Sequence, residues 1–146
     1  MDITAVDDDS RLYVSSTIDD WGVVRELAIS VVVDLEGALD EGIPTRPGSI
    51  LYVYFPFDDA ALPAQDVLDA SADFVARLLQ SGHRVLVHCG MGLNRSPLLA
   101  GIVMHRLGWS GAAVVERLRE RRPGALFNET YCDYLMKLGV NTPTAS

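Results

Sequence analysis

The chain is predicted to fold as an α/β layer protein, on three observations. Residues 31–35 and 85–87 are apolar β-branched runs without alternation, the pattern of strands buried on both faces. Val67, Leu68, Phe74, Val75, Leu78 and Leu79 mark one face of a long helix between strand-like segments. The 85–87 run passes through a loop bearing Gly90 and Gly92 straight into a helical pattern of Leu98, Leu99, Ile102, Val103 and Leu107. Strands interleaved with helices in this way pack as layers around a sheet.

Taken in order, residues 2–10 carry Asp7-Asp8-Asp9 and read as a mobile or lightly docked start. Residues 11–15 alternate well enough for a first strand. Asp19 and Asp20 can cap a short helix running to Leu27 and complement its dipole. The second strand is 31–35, with Asp34 as a hydrogen-bond acceptor at its end. Gly37, Gly42, Pro44, Pro47 and Gly48 make 36–49 a loop. Residues 50–57 form a third strand, broken by Asp58-Asp59-Ala60-Ala61-Leu62-Pro63. The long helix ends at Gly82. The 85–87 strand and its helix follow, and Gly108 stops that helix. Ser110 caps the next, with Ala113, Val114 and Leu118 on its apolar face, and Pro123-Gly124 ends it. Asn128 caps a last helix carrying Tyr131, Tyr134, Leu135 and Leu138, and the tail from Asn141 is expected to fray. No repeat, low-complexity tract or linker interrupts the chain, so 1–146 is read as one domain.

Composition narrows the function classes. About half of the 146 residues are hydrophobic, enough for a core without covalent staples. The two cysteines, Cys89 and Cys132, are spaced neither as a disulfide framework nor as a zinc site. Cys132 reads as a small core residue, with a redox partnership to Cys89 as the alternative. The sequence starts without a basic or apolar leader, and no apolar run is long enough to span a membrane, so a cytoplasmic, reducing location is expected. Net charge is −8, and residues 1–60 hold 13 acids against 3 bases. That field disfavours nonspecific binding to nucleic acid or to anionic membranes, and neither is expected as a partner.

The chemistry concentrates in Val85-Leu86-Val87-His88-Cys89-Gly90-Met91-Gly92-Leu93-Asn94-Arg95-Ser96-Pro97. A glycine-bearing loop between strand and helix aims backbone N–H groups at one point, which is also the positive end of the helix dipole. Such a point suits an oxyanion such as phosphate. Cys89 sits at its edge, where N–H dipoles and a guanidinium favour thiolate over thiol. Arg95 offers a flat fork of donors that matches two phosphoryl oxygens, where lysine would give a point charge. Gly90 and Gly92 let the backbone approach the anion. Ser96 can donate its hydroxyl to the sulfur, and Pro97 suits the first helical turn.

The pattern H-C-x-x-G-x-x-R-S resembles the signature of the cysteine-dependent protein tyrosine phosphatase superfamily. Leu12-Tyr13-Val14, Val32-Val33-Asp34-Leu35, Phe55-Pro56-Phe57-Asp58-Asp59 and Arg122-Pro123 followed by Asn128 are similar to its small dual-specificity branch, over about residues 11–139. The resemblance implies a single-domain α/β phosphatase-type fold with a central, mostly parallel sheet of about four to five strands flanked by helices. It implies hydrolysis of phosphate monoesters on phosphotyrosine and/or phosphoserine/threonine proteins through a cysteinyl-phosphate intermediate, without cofactor or metal. Cys89 is the implied nucleophile, and Gly90, Met91, Gly92, Leu93, Asn94 and Arg95 the implied phosphate-binding loop. Ser96 assists the leaving thiolate, and His88 is implied to hydrogen-bond within the loop and tune the thiolate. The implied general acid is an aspartate about thirty positions before the cysteine. Aligning the proline selects Asp59, with Asp58 as the alternative.

Two further readings share the loop. Asn94 before the arginine is also similar to RNA 5′-triphosphatase-like members, and inositol-lipid phosphatases use related loops. Both favour basic residues in the loop, whereas Gly90, Met91, Leu93 and Asn94 are uncharged. A phosphate-binding pseudophosphatase is the non-enzymatic alternative, disfavoured by intact Cys89, Arg95 and Asp59. Arg117, Arg119, Arg121 and Arg122 read as a solvated helix face, with Arg122 a candidate for reaching a second phosphate or an acidic substrate segment.

Overall fold

A computed structural model describes residues 2–140 of the chain; the tail expected to fray lies outside them. Five strands form one sheet in the order β1-β2-β5-β3-β4. They are β1 (Thr4–Ala5), β2 (Leu12–Ser15), β3 (Val31–Asp34), β4 (Leu51–Tyr54) and β5 (Val85–His88). β2, β5, β3 and β4 run parallel, and only β1 is antiparallel. The α/β class and the parallel sheet are as expected. The helices are α1 (Trp21–Glu26), α2 (Gln65–Gln80), α3 (Arg95–Arg106), α4 (Gly111–Arg121) and α5 (Glu129–Met136).

The period-two alternation of strands divides the core. Leu12, Val14, Val31, Val33, Val85 and Val87 face one way and pack in the larger cluster, which takes residues of α2, α3, α4 and α5. Tyr13, Val32 and Leu86 face the other way and pack with Ile18, Val24 and Ile29 around α1. β5 lies between β2 and β3, so its carboxyl end opens at the middle of the sheet, where such sheets bind ligands. β3 and β4 are parallel yet joined by the helix-free stretch 35–50, which crosses between them and carries Asp40 into a buried position.

α3 is not amphipathic in the ordinary sense. Every residue from Ser96 to Met104 is buried, because the helix is enclosed by α2, α4, α5 and the sheet. Gly101 makes that packing possible, since a Cβ there would lie 2.9 Å from side-chain atoms of Leu135 and Val114. The predicted caps form: Asp20 accepts from Gly22 N–H, Ser110 from Ala113 N–H and Asn128 from Tyr131 N–H.

The start of the chain corrects the expectation of a lightly docked segment. β1 pairs with β2, Val6 is buried, and the Asp7 carboxylate accepts from the backbone N–H groups of Arg11 and Leu12. Asp8 pairs with Arg117 at 2.8 Å. The acidic run reads as solvated by composition, but two of its members are structural. The third strand is also shorter than 50–57. It ends at Tyr54, and the Phe55 and Phe57 N–H groups then bond to Asp34 and Leu35 carbonyls, which turns Phe57 toward the end of β5.

Candidate active site

The loop after β5 is built by pulling its carbonyls outward. Gly90 O accepts from Thr17 N–H at 3.4 Å, Leu93 O from Leu126 N–H at 2.7 Å and Asn94 O from Leu98 N–H at 2.9 Å. Arg122 takes the two between: its Nε donates to Gly92 O at 2.6 Å and its Nη2 to Met91 O at 3.1 Å. With five consecutive carbonyls held outside, the peptide N–H groups are left for the interior. Gly92 N–H donates to Cys89 Sγ at 3.2 Å, and Ser96 Oγ stands 3.4 Å from the same sulfur. Gly92 has φ +70, and a Cβ there would lie 2.4 Å from Arg122 Nη2 and 2.6 Å from the Ser15 backbone, so only glycine fits.

Arg95, the first residue of α3, folds back over the loop. Its Nη1 donates to Phe57 O at 3.2 Å, its Nη2 would lie 3.3 Å from a Cβ at Gly90, and its buried Nε has no partner. A buried guanidinium N–H without an acceptor is costly unless an anion completes it. Loop N–H groups, a positive helix end and this open donor define an oxyanion cradle with the Cys89 sulfur at its edge.

Both acid candidates are exposed, and they differ in their side-chain partners. Asp59 Oδ2 accepts from Asn94 Nδ2 at 2.8 Å, and its Oδ1 from Asn128 Nδ2 at 2.8 Å. Asn128 N–H in turn donates to Asn94 Oδ1 at 2.9 Å. Asp59 is therefore tied to the catalytic loop. Asp58 is exposed, and its backbone carbonyl accepts from the Tyr131 hydroxyl, which anchors the turn. Asn94 lies in the loop, and its buried side chain is taken up by Asp59 and the Asn128 N–H. Met91 is 63 % exposed at the mouth.

Two other expectations are corrected. Arg122 is buried, and besides the two loop carbonyls it bonds Asp2 Oδ2 at 2.7 Å, Asp2 O at 2.8 Å and Thr4 Oγ1 at 3.2 Å, so all five of its donors are taken and none is left for a second phosphate. The solvated-face reading holds for its neighbours: Arg119 and Arg121 are exposed and Arg117 half-buried, with contacts to the Ala125 and Leu126 carbonyls, to Ala5 O and to Asp8 respectively. His88 does not hydrogen-bond within the loop. It shares the face of Leu86, away from Cys89, and its Nε2 meets Asp40 Oδ2 at 2.7 Å. Alternation sets His88 opposite Val87 within β5, and Cys89, just past the strand, packs in the same cluster as Val87. Cys132 is half-buried, packs against the larger core cluster and lies 3.3 Å from Arg119 Nη2.

Sequence reasoning missed Asn128 as an anchor of Asp59, Arg122 as the strut of the loop, and Asp40. We expect Arg122→Met to lower unfolding free energy by about 2 kcal/mol, since hydrogen bonds to a charged donor are lost, and to lower kcat/KM about tenfold by loosening the carbonyl frame. Urea melts and steady-state assays on the purified variant read both. A loss of activity with no loss of stability would show that Arg122 does not act as the strut.

The family model described as "Dual specificity phosphatase, catalytic domain" matches residues 12–141. Mouse protein tyrosine phosphatase type IVA 2 is 28% identical over 116 residues, covering 78% of this chain and 69% of that protein. A solved variant of human DUSP28 superposes with a TM-score of 0.77 at 19% identity, over 94% of each chain. A mouse putative dual specificity phosphatase, solved with zinc tungstate, gives 0.76 at 18% identity, over 94% of this chain and 86% of that one. The cradle around Cys89 thus sits in the fold and the sequence context of one family, and the chain belongs to the dual-specificity phosphatases, within the cysteine-dependent protein tyrosine phosphatases.

Proposed function

We propose that the enzyme hydrolyses phosphate monoesters on phosphoproteins through a phosphocysteine at Cys89. The observation that carries this reading is the loop itself: outward carbonyls, inward N–H groups and the sulfur at 3.2 Å from Gly92 N. In the first step the Cys89 thiolate attacks phosphorus, the P–S bond forms and the P–O bond breaks. Arg95 and the loop N–H groups hold the equatorial oxygens, whose charge they stabilise without reorganising. Asp59 gives the leaving oxygen its proton. In the second step Asp59 takes a proton from water, which attacks phosphorus and expels the thiolate, with the Ser96 hydroxyl donating to the departing sulfur.

The surroundings favour a protein substrate over polyanionic ones. Arg122 is fully engaged, and acidic side chains stand near the mouth of the loop. Glu36 stands 3.5 Å from a Cβ position at Gly90, and Asp58 is exposed in the turn before Asp59. Inositol lipids and RNA 5′-triphosphates bring several negative charges to that rim, whereas a phosphopeptide with basic neighbours brings compensating charge. A catalytic thiolate also fits a reducing, cytoplasmic setting.

Steady-state assays test this with p-nitrophenyl phosphate, phosphotyrosyl and phosphothreonyl peptides with basic or acidic flanks, a phosphoinositide and a 5′-triphosphorylated RNA. The expected order places basic-flanked phosphopeptides at least about tenfold above the acidic-flanked ones, the lipid and the RNA in kcat/KM. A preference for the lipid or the RNA would overturn the substrate class. No turnover of any of them would leave a phosphate-binding protein.

A further inference from the structure

On the face of the sheet opposite Cys89 lies a closed group of ionisable side chains that the chemistry above does not use. His88 and Asp34 are fully buried and Asp40 nearly so. His88 Nε2 is 2.7 Å from Asp40 Oδ2 and 3.7 Å from Asp34 Oδ1. The Tyr52 hydroxyl makes a short contact with Asp34 Oδ2, lies 2.8 Å from Asp40 Oδ2 and accepts from Asp40 N–H at 3.1 Å. Asp34 Oδ1 accepts from Glu36 N–H at 2.8 Å.

Counting protons decides how these groups are arranged. A tyrosine hydroxyl has one proton to give, and two carboxyl oxygens touch it. The second contact needs a second proton, or two lone pairs face each other in a buried site. The extra proton can sit on Asp34 or on Asp40; the deeper burial of Asp34 favours the first, which leaves only His88 Nδ1 of the group without a partner. Asp34, as a carboxylic acid, donates to Tyr52 Oη; Tyr52 donates to the Asp40 carboxylate; and Asp40 accepts from His88 Nε2–H. The two lone pairs of Tyr52 Oη then take the Asp34 O–H and the Asp40 N–H. Burial pushes the Asp34 carboxyl up, in the same direction. Glu36 is the other charged group beside His88, and its carboxylate faces the Thr17 hydroxyl at 2.9 Å. Asp34, Glu36 and His88 come close enough to share a cation, but the Asp34 oxygens and His88 Nε2 are already engaged.

We propose that Asp40 is a positioning residue of the catalytic loop, held by a proton resident on Asp34 and bridged through Tyr52. Asp40 comes from the helix-free crossover between β3 and β4. It grips the imidazole of the residue directly before Cys89, and so fixes the backbone that places the sulfur beneath Gly92 N–H. The inference rests on the reading of Cys89 as nucleophile, so its readouts are chosen to stand apart from turnover.

The proton is tested by infrared spectroscopy at neutral pH. The wild-type protein should show a protonated-carboxyl C=O stretch that Asp34→Asn lacks. Absence of the band in wild type, or its persistence in Asp34→Asn, overturns the assignment. The grip is tested by the rate at which iodoacetamide modifies Cys89 at about pH 6, followed by mass spectrometry. Asp40→Ala should slow modification and kcat together about tenfold with KM little changed. Asp40→Asn, whose amide oxygen still accepts from His88, should recover most of both. Should Asp40→Ala not fold, Tyr52→Phe carries the test, with a smaller slowing of the same sign. Unchanged modification rates in folded Asp40→Ala or Tyr52→Phe overturn the proposal. Slowed modification with unchanged turnover would instead remove Cys89 as the nucleophile.

Discussion

Cys89→Ser is expected to reduce turnover of p-nitrophenyl phosphate and of phosphopeptides to the level of a blank preparation. The substitution is nearly isosteric at a buried position, so the thermal melt should stay within a few degrees of wild type. What changes is the nucleophile. The environment of Gly92 N–H, the Ser96 hydroxyl and the α3 N-terminus favours an anion at this sulfur. A serine hydroxyl stays protonated at neutral pH, and no neighbouring base is placed to take its proton, since His88 points to the other face of the sheet. The oxyanion cradle is left whole, so the variant should still bind vanadate or phosphate. Steady-state hydrolysis above the blank would remove Cys89 as the nucleophile. Loss of anion binding together with activity would mean that the substitution had broken the loop rather than the chemistry.

What the sequence disclosed of this site was what lies close along the chain. The strand-loop-helix unit lies in the continuous stretch 85–106, with the oxyanion point and Cys89, Arg95 and Ser96 inside it, and their geometry follows from local rules. What escaped were contacts made across long separations. Arg122 reaches Gly92, Met91 and Asp2, and nothing in a run of arginines distinguishes the one whose guanidinium turns inward. Asn128 was legible as a helix cap, which it is, but its second amide contact with Asp59 requires the turn at 58–61 to wrap around the Tyr131 hydroxyl. Asp40 looked like one more acid in a glycine- and proline-rich loop. The direction of His88, by contrast, was available from alternation alone, which sets it opposite Val87 within β5.

With Asp59 as the proposed general acid, the effect of its removal depends on the leaving group. Phosphoryl transfer to Cys89 puts charge on the leaving oxygen. A serine alkoxide leaves very poorly, a tyrosine phenoxide poorly, and p-nitrophenoxide well without help. Removing the acid should therefore slow phosphoserine and phosphotyrosine peptides far more than p-nitrophenyl phosphate, by about 10²–10⁴-fold against a much smaller loss. Asp59 is held by Asn94 from the catalytic loop and by Asn128 from the cap of α5, so its carboxyl is fixed relative to Cys89. Asp59→Asn keeps the shape but not the proton, and should show this steep leaving-group dependence with the alkaline fall of the pH–rate profile lost. Asp58 contributes its backbone carbonyl to Tyr131 and leaves its side chain in solvent, so Asp58→Asn should change all rates mildly and equally. A paired comparison on phosphopeptides and on aryl phosphates of graded leaving-group acidity decides between them. Steep dependence in Asp58→Asn alone would mean that the turn shifts by one residue when substrate binds. Steep dependence in neither would place the acid outside this turn.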